Sequence, residues 1–167
     1  GPWLPHEMGG EIVDARRVLP DFKSETLDGL KWKHVKVAEI PAHKATPQMC
    51  EFNRIVETLH PVAVHKTGKD SYIYDMGTCF VGFTEIKMPV VKKGRTIKLY
   101  YEDYYLNDLA DFRDKEYTDK FIGDGKKEGK FSSKFNYKGY RYLKIIGLEE
   151  PLPLDAVTGG KVRTDYT

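Results

Sequence analysis

The 167-residue chain is poor in the features that announce a metal site, a membrane span or a nucleic-acid surface. It has only two cysteines, Cys50 and Cys79. Two thiols cannot build a metal site by themselves, and they form at most one disulfide, in an oxidising compartment. Both sit amid apolar or strand-like residues, which favours free, partly buried thiols. No apolar run approaches the ~20 residues needed to cross a bilayer, so no membrane span is expected, and no signal peptide is visible at the start. Charge of either sign is not in excess: 27 Lys and Arg against 25 Asp and Glu leave a formal net charge of +2. The basic residues alternate with acidic ones or stand singly in turns, so the stripe that a nucleic-acid partner requires is missing. There is no phosphate-cradling glycine loop followed by Lys and Ser or Thr, and no Gly-x-Ser-x-Gly elbow. The histidines, His6, His34, His43, His60 and His65, have no spacing that sets two ligands on one helix face.

What the chain does contain points to a β-rich globular unit. Its hydrophobic fraction is 40% and its aromatic fraction 13%, too high for disorder. A single domain of this length buries roughly two-thirds of the surface its unfolded chain exposes, enough for a core without disulfides or metals. Strand candidates run along it: Glu11 to Arg16, Leu30 to Val37, Met49 to Leu59 (where a helical turn is the alternative), Ser71 to Met76, Cys79 to Met88, Arg95 to Glu102, Tyr117 to Ile122, the paired Phe131 to Tyr137 and Tyr140 to Ile146, and Val162 to Tyr166. In Arg95 to Glu102, Ile97, Leu99 and Tyr101 share one face. Short strands at regular spacing, with turn signals between them, predict an all-β antiparallel sandwich or barrel. Residues 1–45 read as an arm partly packed on it, and residues 46–167 as the sandwich.

Few constellations carry chemistry. Glycosidases need two carboxylates, and this chain has many. The most unusual setting is Tyr100-Tyr101-Glu102-Asp103-Tyr104-Tyr105: rings stack on sugar C–H faces and carboxylates accept from sugar hydroxyls. Tyr101, Glu102, Tyr104 and Tyr105 are therefore the candidate carbohydrate-binding residues, against the plainer alternative of a strand end with alternating tyrosines. Asn107, Asp108, Asp111 and Asp114 offer oxygen ligands for calcium, without the spacing of a helix-loop-helix calcium loop. No other cofactor is expected. Gly77, Gly82, Gly94 and Gly139 fall at strand edges or turns, where positive φ or close backbone approach suits glycine. Arg141, between Tyr140 and Tyr142, is expected to stack on a ring or to pair with an acid such as Asp75 or Asp119.

Six segments carry a resemblance to a known family. Asp75-Met76-Gly77-Thr78-Cys79-Phe80-Val81-Gly82-Phe83 resembles the Asp-Phe-Gly-Gln-Asn-hydrophobic-small-Gly-Trp run of bacterial α-L-rhamnosidases. Gly94 followed by Ile97, Leu99 and Glu102 resembles that family's next strand. Thr118-Asp119 with Phe121, Phe135-x-Tyr137-x-Gly139-Tyr140-Arg141-Tyr142, Gly10-Glu11 with Asp14-Ala15-Arg16, and Val162-Arg163-Thr164-Asp165 follow in the family's order. Thr78 and Cys79 replace the family's Gln and Asn, and Phe83 its Trp.

The resemblance implies a concanavalin-like, jelly-roll type β-sandwich placed before an (α/α) barrel that holds the acidic catalytic residues. It implies no catalytic residue in this chain, with Asp75, Gly77, Gly82, Gly139 and Arg141 as structural motif residues. The implied partner is a catalytic domain of the same polypeptide, in a bacterial glycoside hydrolase that is secreted or periplasmic. The expected role is to support that barrel and shape substrate access. The alternative is a stand-alone carbohydrate-binding module for rhamnose-containing plant glycans.

Overall fold

A computed structural model describes residues 3–5, 10–17, 34–104 and 118–166. The described residues form ten strands: β1 (Trp3–Pro5), β2 (Glu11–Asp14), β3 (Asn53–Leu59), β4 (Ala63–Gly68), β5 (Ser71–Met88), β6 (Thr96–Glu102), β7 (Asp119–Ile122), β8 (Gly129–Ser132), β9 (Lys138–Ile146) and β10 (Val157–Thr164). They form one curled sheet in the order β1-β2-β7-β6-β9-β5-β10-β3, with β4 and β8 also paired to β5. The all-β expectation holds. One pair, β2 with β7, is parallel rather than antiparallel.

The 18-residue β5 is the spine of the sheet. Its first half pairs with β4 and β9, the β9 pairing resumes over Phe80–Gly82, and the rest of its second half pairs with β10 and β8. The sequence suggested two strands here, broken at Gly77. The chain instead stays extended while its pairing with β9 lapses: Asp75 faces Tyr142 and Phe80 faces Tyr140, so Met76–Cys79 lie opposite Arg141 alone. Gly77 takes φ 78° at this irregularity, a conformation that a side chain disfavours.

Alternation along the strands fills one core. Tyr72, Tyr74, Met76, Phe80, Ile86 and Met88 of β5 meet Ile97 and Leu99 of β6, Phe121 of β7, Phe131 of β8 and Tyr140, Leu143 and Ile145 of β9. Ile97 and Leu99 share that face with the partly buried Tyr101, as their spacing predicts. A smaller cluster of Ile73, Tyr100 and Tyr142 lies apart from it. The segment between β9 and β10 closes the main core with Leu148, Leu152 and Ala156. The buried Tyr74 hydroxyl donates to the Leu152 carbonyl (3.1 Å) and accepts from the Leu152 N–H (2.6 Å). Burial raises the Tyr74 phenol to about 12.

Four expectations need correction. Phe131–Tyr137 and Tyr140–Ile146 do not form a hairpin: β8 pairs with the far half of β5, while β9 lies between β5 and β6. The hydrophobic pattern fixes which face is buried but not which neighbour is chosen. The described end of the Leu30–Val37 candidate is not a strand; Val35 and Val37 are about nine-tenths exposed, and an alternating pattern without a partner strand has no surface to bury. The last strand, expected over Val162–Tyr166, runs as β10 from Val157 to Thr164 with Gly159 and Gly160 inside it. Cys50 and Cys79 are free but exposed rather than partly buried, since one lies in an irregular stretch and the other at the β5 irregularity.

Gly82 is the tightest point of the sheet: a Cβ there would collide with the backbone of Gly160 and Lys161. Gly82→Ala should lower stability by about 2 kcal/mol or more, read as a lower urea midpoint. Tyr74→Phe should cost about 1–3 kcal/mol, because the Leu152 amide is left buried without a partner.

Candidate functional site

A network of buried charged groups gathers around β2. Glu11 and Asp119 are almost fully buried. The Glu11 carboxylate accepts three successive backbone N–H groups, from Lys134 (2.8 Å), Phe135 (3.0 Å) and Asn136 (2.9 Å). The Glu11 N–H donates to Asp119 (2.7 Å). Asp119 also receives the Tyr101 hydroxyl (2.6 Å) and both its oxygens receive the Lys138 ammonium (2.9 Å each). That ammonium also lies 4.9 Å from the centroid of the Tyr101 ring. Tyr101 packs edge-on against Tyr140, whose hydroxyl is hydrogen-bonded to Thr84. Burial pushes the Asp119 carboxyl upward, with Lys138 as the main opposing influence. Burial and the neighbouring Asp119 charge both raise the Tyr101 phenol.

A second unit sits at the β5 irregularity. Arg141 reaches Asp75 with two bonds (2.8 and 3.0 Å), and Asp75 also accepts the Gly77 N–H (2.8 Å). Arg141 therefore chooses Asp75, while Asp119 takes Lys138 instead. Arg141 also stacks 5.1 Å from the Tyr142 ring centroid. Its guanidinium holds the Asp75 carboxyl below the usual range. Of the remaining motif residues, Gly82 lies where β5 meets β10, and Gly139 stands beside Val81 in the β5–β9 pairing.

The tyrosine cluster divides among environments. Tyr101 faces the main core, whereas Glu102 is buried on the opposite face, across from Tyr142. Asp103 and Tyr104 are exposed, and Tyr105 lies outside the described residues. So do Asn107, Asp108, Asp111 and Asp114, the candidate calcium ligands. Among the described residues no group of three or more His, Cys, Asp or Glu side chains could hold a metal, and no helix is long and apolar enough to cross a membrane. A shallow groove between Val91, Ile97, Leu148 and Leu152 has its cations Lys92 and Arg95 taken up by Glu149.

Residues 65–163 match the family described as the bacterial alpha-L-rhamnosidase concanavalin-like domain. The chain belongs to this family. An alpha-L-rhamnosidase of Alteromonas sp. (strain LOR) is 26% identical over 148 residues, covering 84% of this chain and 16% of that protein. One from Formosa agariphila is 24% identical over 94% of the chain and 17% of its own length. The α-L-rhamnosidase structure from Dictyoglumus thermophilum superposes with a TM-score of 0.84 at 26% identity, over 98% of this chain and 19% of that one. The Aspergillus terreus enzyme shares the fold at TM-score 0.82 and 22% identity, over 99% of this chain and 20% of that one. The rhamnosidase domain in hand thus spans about one-fifth or less of the length of these relatives.

Sequence inspection missed Glu11 and Lys138 as network residues. Their signal was faint: an acid on a short strand whose neighbours are apolar, and a lysine between Tyr137 and Gly139. Lys138→Met should cost about 3 kcal/mol or more, because it strands a buried carboxylate; the double variant Lys138→Met with Asp119→Asn should lose less. Urea unfolding of the three proteins checks this. Asp75 titrates below its unfolded value near 3.9, so its contribution is complete above that pH and is lost as pH falls through the lower folded value. For this part-exposed pair the loss is about 1 kcal/mol, and Asp75→Asn should flatten that part of the acid unfolding curve.

Proposed function

We propose that this rhamnosidase domain is a non-catalytic supporting module of an α-L-rhamnosidase-like glycoside hydrolase, which holds the catalytic domain in place and shapes substrate access. The carrying observation is the family match within proteins five or more times longer. The internal chemistry agrees with it. An inverting or retaining glycosidase needs two carboxylates facing one substrate, one kept protonated. Glu11 and Asp119 are the most deeply buried acids among the described residues, and each is already engaged by donors of the protein itself. They brace the fold.

The test is hydrolysis of an aryl α-L-rhamnoside by the 167-residue chain and by the longer gene product that contains it. The chain alone should release no aryl alcohol above background, while the longer protein should turn over. Hydrolysis by the chain alone would overturn the non-catalytic assignment. Saturable heat on titrating the chain with L-rhamnose would favour the carbohydrate-binding alternative.

A further inference from the structure

We infer that the outer face of the sheet around Phe83 and Tyr137 is the surface on which the rest of the longer polypeptide docks, an inference that rests on the supporting role proposed above. Strand alternation builds the patch. Gly82 and Thr84 of β5 face inward, so Val81 and Phe83 face outward. Phe83 stands directly across from Gly160, and Val81 across from Gly139. Tyr137 meets Phe83 edge-on, with ring centroids 6.0 Å apart. Ile55 of β3 lies where a side chain on Gly160 would stand. The result is one apolar surface running from β3 across β10 and β5 to the start of β9. Ile55 is 57% exposed, Tyr137 53% and Val81 46%.

Three observations select the occupant. The patch has the anatomy of a protein interface, an apolar centre with charged pairs beside it: Glu85 with Lys130, and Arg54 with Asp165. It lies astride β10. Beyond Lys161 that strand pairs only with β3, as a two-stranded ribbon whose residues Val162–Thr164 run past the edge of β5. Chain continuing from this ribbon starts tethered beside the patch, at the high effective concentration that a short connection provides. Finally, the relatives carry several times this chain's length elsewhere, more than enough to cover the surface.

The patch is also held in shape before anything binds. The three amides that Glu11 accepts belong to Lys134–Asn136, the loop that delivers Tyr137 and the 75%-exposed Phe135. A buried carboxylate that fixes a surface loop removes ordering cost from docking. Glu11 is thus a positioning residue for the interface.

Hydroxyl-radical footprinting reads side-chain exposure directly. Oxidation of Phe83, Phe135 and Tyr137 is compared in the 167-residue chain and in the longer gene product. At least about fivefold protection in the longer protein is expected, as for the fully buried centre of an interface. Tyr137→Asp in the longer protein should restore oxidation of Phe83 while leaving the isolated domain's melting temperature nearly unchanged, since Tyr137 is a surface residue. Equal oxidation in both proteins overturns the inference. So does protection of the isolated chain that disappears on dilution, which would mean a second copy, and so does protection of the isolated chain by added L-rhamnose, which would mean a sugar site. Rhamnoside hydrolysis is scored separately: an active longer protein with an unprotected patch removes the docking surface alone, and a protected patch without hydrolysis removes the hydrolase reading alone.

Discussion

Asp75 binds Arg141 through both carboxylate oxygens and also accepts the Gly77 amide, and the sheet's curl depends on that junction. Upstream of it β5 lies between β4 and β9; downstream β9 stays paired as far as Gly82, β10 takes the side that β4 has left, and β8 follows β9 from Glu85. One strand serves four neighbours by changing partners part-way along, and the change from β4 to β10 spans Met76–Val81. An unpaired stretch in a central strand leaves backbone groups without ladder bonds. The carboxylate supplies one replacement acceptor, and the glycine supplies the positive φ. Close approach of β5 and β10 at Gly82 then draws the second half of the sheet over the core.

The second constraint is electrostatic. Glu11, Asp119 and Lys138 bring charge into a small core, which is costly unless every donor and acceptor is matched. Among the described residues no buried side-chain nitrogen or oxygen lacks a partner. The network ties β2 to a loop more than a hundred residues away. Because that loop carries exposed aromatic side chains, the same bonds that stabilise the fold also set the shape of its outer surface.

The proposed supporting role agrees with these facts. A sandwich whose deepest acids are committed to its own backbone and lysine has spent its ionisable groups on rigidity.

The sequence by itself determined the all-β class, the inward alternation of Ile97, Leu99 and Tyr101, and the family, because these rest on local period and on motif order. Asp75, Gly77 and Arg141 were legible as a motif, and their contact was one of the pairings open to Arg141. Tertiary structure alone decided that β8 joins β5 rather than β9 and that β2 runs parallel to β7. It also decided that Asp119 takes Lys138 and that Glu11 captures a distant loop. The reason is physical: burial and period are properties of neighbouring residues, whereas the partner of a strand edge or a buried charge is set by which distant segment arrives first in space with matching donors and acceptors.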